Sequence, residues 1–141
     1  IIGHGGIEKE YLVRLAKEHN IDLDLISNIS DKELVNWYNK SKIFLYAGIR
    51  EPFGLVILEA LSCGTPVVAV NEGGIGEIIT NNKLGVLVRR HEKEFADAIQ
   101  QVLFKLSLRA KRGISPDYIQ ENWSWDKSVQ DLEKHLKAIS K

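Results

Sequence analysis

Short apolar runs at residues 1–3, 23–27, 43–47, 66–70 and 86–89 alternate along the chain with amphipathic stretches at 8–18, 32–39, 54–63 and 75–80. The runs are apolar at successive positions rather than at every second one, the pattern of strands buried on both faces. Strands of that kind separated by helices are joined by crossovers. The fold class this predicts is α/β, a doubly wound parallel sheet with helices on each side. After Glu92 the pattern is helical only: Phe95, Ala98, Ile99 and Val102 form one apolar stripe, and Val129, Leu132, Leu136 and Ile139 form another. Ser124 stands where it can cap the helix carrying the second stripe.

Composition enters as a set of exclusions. With 141 residues, 44% hydrophobic and 27% charged, the chain is long enough for a real core and is neither disordered nor membrane-spanning. A formal net charge of zero argues against nucleic acid as a partner. The basic run Lys105, Arg109, Lys111 and Arg112 could meet an anionic membrane as a peripheral contact, though a solvated helix end is the plainer reading. Cys63 is the single cysteine; it rules out an internal disulfide, fits a reducing cytoplasm, and reads as a small buried hydrophobe. No His/Cys cluster has metal-ligand spacing, so no metal is expected. The chain opens on Ile1-Ile2-Gly3-His4-Gly5-Gly6, the end of a buried strand running into a glycine turn, and reads as a piece of a longer protein. Gly3-x-Gly5-Gly6 is not a dinucleotide fingerprint, because Glu8 occupies the third glycine position.

The most chemical stretch runs from Glu51 to Thr65. Read as a helix opening near Phe53, its residues 55–63 are apolar on nearly every face, so the helix is expected to be buried. Gly64 is placed to end it as a left-handed C-cap, and Pro66 blocks continuation. A carboxylate in a buried helix needs a partner, from the protein or from a ligand. Glu51 and Glu59 would lie roughly 10–12 Å apart at the helical rise, the reach of a sugar diphosphate. In an open parallel sheet ligands bind beyond the carboxyl ends of the strands, and the loop 48–51 leaves a strand there. The amides of Phe53, Gly54 and Leu55 would then offer donors to phosphate, with Gly54 letting the backbone approach closely. The loop from Asn71 to Glu77, with Gly73-Gly74, opens another short helix at the same edge. Each residue has a plainer role beside the functional one. Glu51 would be an ordinary helix N-terminal acid, Glu59 half of a buried ion pair, Gly73-Gly74 a flexible turn, and His4 a surface histidine.

The cassette Glu51-x7-Glu59 with Phe53-Gly54 inside it resembles the signature of the retaining nucleotide-sugar glycosyltransferases of the group 1 (GT4) family. Leu25-Ile26-Ser27-Asn28-Ile29-Ser30 with Glu33-Leu34, Thr65-Pro66-Val67-Val68-Ala69 with Gly73-Gly74-Ile75-Gly76-Glu77-Ile78-Ile79, Gly85-Val86-Leu87-Val88 and Trp123-Ser124-Trp125 are similar to further family blocks, in order. The resemblance implies the Rossmann-like C-terminal domain of the GT-B fold. Residues 1–122 would be a nucleotide-sugar-binding domain lacking its first strand and helix and the whole N-terminal domain. Residues 123–141 would be the C-terminal helix returning toward that missing domain. The activity implied is hexosyl transfer from a nucleoside diphosphate sugar, which is substrate rather than cofactor, to a hydroxyl acceptor, glycan or lipid-linked, held mainly by the N-terminal domain. Polysaccharide or glycolipid biosynthesis is the implied setting. Glu51 would be catalytic and donor-binding, with Phe53, Gly54, Leu55, Glu59, Gly73 and Gly74 also binding donor and His4, Asn28 and Glu77 as further candidates.

Two departures from the pattern stand out. Ala47-Gly48 replaces a common Pro-Ser, and Asn28 occupies a position commonly glycine. The chain alone is expected to be inactive, binding nucleotide weakly, and to dimerise or fray through the stripe after Ser124. A sugar-nucleotide epimerase or phosphorylase of the same fold, or a non-catalytic nucleotide-binding module, are the alternatives. Of the last kind, a phospho-receiver is disfavoured, because Asp22 and Asp24 begin a strand instead of ending one.

Overall fold

The run Val67–Val70, all valine and alanine, becomes the central strand of a parallel sheet in the computed structural model, which describes residues 1–3, 6–107 and 116–140. In chain order the elements are α1 (Lys9–Glu18), α2 (Asp31–Lys40), β1 (Phe44–Tyr46), α3 (Leu55–Ser62), β2 (Val67–Val70), α4 (Ile75–Ile78), β3 (Gly85–Val88), α5 (Glu92–Ser107), α6 (Pro116–Trp123) and α7 (Trp125–Ile139). The chain divides into two compact units, residues 1–34 and 35–141, with the division inside α2.

In the larger unit β2 pairs with β1 in the register Phe44↔Val67 and with β3 in the register Val67↔Gly85, giving the order β1-β2-β3. All four residues of β2 are buried, as a β-branched strand inside a parallel sheet should be. Side chains alternate between faces. Val68 packs against Ala98 and Val102 of α5, with Phe95 and Ile99 alongside, so the first apolar stripe is a core stripe. Val67 and Ala69 on the opposite face are fully buried, and α3 packs against β1 and β2. Helices therefore cover the sheet on both sides.

Helix α3 ends where Gly64 and Pro66 say it should. Gly64 sits at φ +70°, its N–H donates to Leu61 O at 2.9 Å, and the Thr65 N–H donates to Ala60 O at 2.9 Å. Its start and its burial differ from expectation. The helix opens at Leu55, two residues after Phe53, because Gly54 at φ +99° turns the chain first. Only one face is buried. Ile57, Leu58, Ala60 and Leu61 face the core, whereas Leu55 is 65% exposed and Glu59 and Ser62 share its side. Cys63 is half-buried at the end of the helix and is not part of the core.

From Glu92 on, the described residues form three helices. Pro116 supplies the first residue of α6, where a missing N–H costs nothing. Ile119 of α6 is 5% exposed and that helix packs on α3. Ser124 caps α7 as expected, its Oγ accepting from the Lys127 N–H at 3.2 Å. The α7 stripe is bare: Val129, Leu132, Leu136 and Ile139 are 53–82% exposed.

The smaller unit corrects the strand reading. Residues 1–3 and 23–27 do not form strands; they meet in one parallel bridge, Ile2↔Ile26, with Gly3 N donating to Ile26 O at 3.0 Å. Asp22 and Asp24 are exposed, and beside the bridge the Ile1 amino group donates to Asp24 O at 2.7 Å. Helix α1 closes on Asn20 at φ +52°, and α2 opens with a reciprocal cap in which the Ser30 N–H donates to Glu33 Oε2 at 2.8 Å.

Candidate functional site

Three loops leave the carboxyl ends of β1, β2 and β3, and the larger unit ties them to one another. Arg90, just after β3, sends Nε and Nη2 to the two carboxylate oxygens of Glu72, each at 2.8 Å. The same guanidinium donates to Ala47 O at 3.1 Å and Gly48 O at 2.8 Å. A planar fork with four acceptors fixes the loop after β1 against the loop after β2. The Arg90 guanidinium in turn holds the Glu72 carboxyl below the usual carboxylate range.

Glu51 is the centre of this cluster. Its Oε2 accepts from the Tyr46 hydroxyl at 2.7 Å, and its Oε1 accepts from the Gly54 N–H at 2.9 Å and the Phe53 N–H at 3.3 Å. The plainer role expected for Glu51, an acid at a helix N-terminus, is met only in part: its carboxylate braces the turn that leads into α3, and α3 itself, with Gly54 as N-cap, carries no side-chain cap. It also corrects the expectation for the amides. Those of Phe53 and Gly54 are directed at Glu51, and of the three only that of Leu55 is not taken by this carboxylate. Tyr46 is the main reason that the Glu51 carboxyl lies below its ordinary range, the two amides adding to it. The reciprocal effect pushes the Tyr46 phenol up to about 12.

The glycines serve the protein's own backbone. Gly54 is buried, and a Cβ there would meet Ile57, Ile78 and Ile75 at 3.3–3.7 Å, so the missing side chain makes room for core isoleucines. Gly73 and Gly74 lie against the Glu51-Pro52 backbone, with the Gly74 N–H donating to Glu51 O at 3.3 Å. The turn they form is therefore specified and not merely flexible. Glu77 is exposed in the single turn of α4.

Glu59 corrects a second expectation. It lies on the exposed face of α3 and, among the described residues, makes no ion pair. Its Oε2 accepts from the hydroxyl of Tyr38, a buried residue of α2, at 3.0 Å. Tyr38 meets Phe44 edge-on with ring centroids 5.5 Å apart, and Phe44 stacks with Tyr46 at 6.2 Å. Burial, then Glu59, raises the Tyr38 phenol further than Tyr46 is raised. Phe53 is 38% exposed and meets Trp123 edge-on at 5.6 Å, so Trp123 has cover within this chain, whereas Trp125 is 88% exposed.

In the smaller unit Asn28 is exposed at φ +56°, a backbone state that asparagine tolerates and glycine prefers, which explains a non-glycine residue there. The neighbouring Ser27 lines a cavity of about 230 Å³ with Gly3, Gly6, Lys9 and Ile26. His4 lies outside the described residues, as do Arg109, Lys111 and Arg112 of the basic run. Asp22-Leu23-Asp24 has Asp-x-Asp spacing, yet among the described residues no group of three or more His, Cys, Asp or Glu could hold a metal ion.

Sequence reasoning passed over Tyr38, Tyr46 and Arg90. The first two are separated from their carboxylates by 21 and 5 residues, and no local pattern links them. A pH dependence follows from the ion and hydrogen-bond pairs. Glu51, Glu72, Glu94 and Asp131 all have carboxyls held below their ordinary values, chiefly by Tyr46, Arg90, Arg89 and Lys127 respectively. A depressed carboxyl stabilises the fold above its ordinary titration range and loses that contribution as pH falls through the depressed value. The melting temperature is therefore expected to hold steady down to about pH 5 and then fall steadily toward pH 3. Melts recorded across that interval check it; a rising melting temperature would contradict it.

Comparison with known proteins gives a consistent answer. The family model for glycosyl transferases group 1 matches residues 1–113. A D-inositol 3-phosphate glycosyltransferase of Corynebacterium jeikeium is 36% identical over 135 residues, 94% of this chain and 32% of that protein. One from Paenarthrobacter aurescens is 34% identical over 110 residues, 77% of this chain and 27% of its own length. The chain thus spans about a third of the length of these curated relatives. Among solved structures, sucrose-phosphate synthase from Thermosynechococcus elongatus matches with a TM-score of 0.74 at 24% identity, over 98% of this chain and 38% of that one.

Proposed function

The chain belongs to the glycosyl transferases group 1 family, with the α/β architecture of GT-B enzymes, and from that premise we propose that it is the donor-binding half of a retaining, GT4-type glycosyltransferase. The observation that carries the reading is the placement of the two carboxylates. Glu51 stands beyond the carboxyl end of β1 at the head of α3, and Glu59 stands eight residues on, along the exposed side of the same helix. Exposure of Glu59 supports a ligand role better than burial would, since its one described partner is a phenol and its remaining acceptor sites face outward.

In the whole protein Glu51 would hold hydroxyls of the donor sugar near the reacting carbon, and Glu59 would accept from the ribose. The Leu55 amide at the first position of α3 would face the diphosphate, with leaving-group charge met by amides and basic side chains. Gly73 and Gly74 would act by holding the Glu51 loop in place. The acceptor is a hydroxyl compound, glycan or lipid-linked, and the relatives' names add D-inositol 3-phosphate to the acceptors worth testing. A cytoplasmic setting in polysaccharide or glycolipid biosynthesis fits this chemistry. The family match does not favour the epimerase, phosphorylase or non-catalytic alternatives.

The experiment is calorimetry of this chain with a panel of nucleoside diphosphates and their sugars. Glu59→Gln should weaken nucleoside diphosphate binding by about 1–3 kcal/mol, the worth of charge-assisted hydrogen bonds, while Glu51→Gln leaves it nearly intact. Equal losses in both variants would refute the division of roles.

The bare face of α7 gives a further expected result. With Trp125, Val129, Leu132, Leu136 and Ile139 all more than half exposed, the helix has little burial to hold it in this chain. Its amides should exchange with solvent well before those of β2, or the chain should dimerise through it. Hydrogen exchange as slow in α7 as in β2, in a strictly monomeric sample, would contradict both.

A further inference from the structure

One row of aromatic rings places a phenol on each carboxylate of the cassette. Tyr38, Phe44 and Tyr46 are in consecutive ring contact, and the two end members donate to Glu59 and Glu51 at 3.0 and 2.7 Å. The row is built on rigid elements: Tyr38 on α2, Phe44 and Tyr46 on β1. Tyr38 is anchored again through its backbone, where its carbonyl accepts from the buried Thr65 hydroxyl at 2.6 Å. Gly48 leaves Tyr46 its place, since a Cβ there would stand 2.4 Å from the Tyr46 hydroxyl oxygen.

We propose that Tyr38 and Tyr46 are paired positioning residues, which fix the rotamers of Glu59 and Glu51 and so set the distance and direction at which the two carboxylates meet the donor. The inference rests on the functional reading above. A carboxylate has about four acceptor sites. Glu51 commits three, two on Oε1 to the Phe53 and Gly54 amides and one on Oε2 to Tyr46. One site on Oε2 is left for a donor hydroxyl, and the phenol decides where it points. Glu59 is more loosely held, so its phenol is the main restraint on a side chain exposed on the surface of α3.

The charged groups on the elements around Glu51 are Arg50 beside it in the chain, the Arg90–Glu72 pair on the loops after β3 and β2, and Glu77 on α4. Among the described residues none is ion-paired with Glu51. Tyr46 is therefore the side chain to remove. Tyr→Phe deletes one oxygen and keeps the ring in its row, so it separates positioning from packing.

The test uses Tyr46→Phe and Tyr38→Phe, each in this chain and in the full-length protein that carries it. Tyr46→Phe should move the NMR titration of the Glu51 carboxyl to higher pH in the chain, and lower kcat about tenfold in the full-length protein with donor KM within about twofold. Tyr38→Phe should weaken nucleoside diphosphate binding about tenfold by calorimetry and leave kcat at saturating donor within about twofold. An unmoved Glu51 titration, or transfer kinetics unchanged in both variants, overturns the proposal. If Tyr46→Phe shifts the titration as expected but Glu51→Gln transfers sugar at the wild-type rate, the assignment of Glu51 fails instead, and with it the catalytic half of the pairing.

Discussion

Replacing Gly73 by alanine should destabilise the 35–141 unit by about 2–5 kcal/mol, through two separable causes. The first is conformational. Gly73 sits at φ +62°, a left-handed state that costs an L-residue about 1–2 kcal/mol. The second is space. A Cβ at this position would stand 1.9 Å from the carbonyl oxygen of Glu51, a backbone atom with no rotamer into which to retreat. One loop must then move off the other, and the cost of overpacking is typically about 1–3 kcal/mol. Gly74 provides the control. Its φ of −79° is ordinary, while its Cβ would meet Pro52 O at 2.4 Å, so Gly74→Ala carries the crowding without the conformational cost. Urea unfolding followed by tryptophan fluorescence should show both variants less stable than the parent, Gly73→Ala the more so. Equal stability of Gly73→Ala and the parent would mean that the two loops are not packed as described.

That contrast shows what a sequence can and cannot say about glycine. The Gly73-Gly74 pair was legible as a place where other residues do not fit, but the partner that excludes them was not. A ligand phosphate and a neighbouring carbonyl make the same demand on a backbone, and only the fold brings Glu51 O to Gly73. The end of α3 was legible because its signal is local: Gly64, then Pro66, and nothing distant is needed for the hydrogen bonds of Gly64 and Thr65 to form. Its burial was misread because eight mostly apolar residues carry little amphipathic contrast. Leu55 and Val56 are as apolar as Ile57 and Leu58, yet Leu55 lies outside, and an exposed leucine is common on protein surfaces.

The same lack of contrast makes Glu59 look buried from the sequence, with a donor ribose or, as the plainer role, an ion pair as its partner. The phenol that holds it is that of Tyr38, 21 residues earlier, and is found only once the fold brings that side chain to α3. The parallel sheet itself is legible because the apolar runs 43–47, 66–70 and 86–89 each deliver a strand, although only the central β2 is buried throughout; Leu45 of β1 is exposed and β3 is mostly half-buried. At 23–27 the exposed Asp24 interrupts the apolar run two residues before Ile26, and the ladder shrinks to a single bridge.

Glu51→Gln should reduce sugar transfer by the full-length protein about a hundredfold, the scale seen when one preorganised electrostatic group is removed from a reacting centre. The same substitution should leave the fold nearly untouched, and the geometry explains why. A glutamine Oε1 can still accept from the Gly54 and Phe53 amides, and its NH₂ can donate to the Tyr46 oxygen once that hydroxyl rotates away. The loop keeps its hydrogen bonds and loses only the charge. Glu51→Ala is a different experiment, because it strands three donors and so mixes a structural loss with a chemical one. Glutamine therefore isolates the question the structure raises. If Glu51 only braces the turn that leads into α3, transfer by Glu51→Gln should match the parent. If its charge is used on the donor sugar, kcat should fall while calorimetric affinity for the nucleoside diphosphate stays within about twofold, since the ribose contact is the one proposed for Glu59.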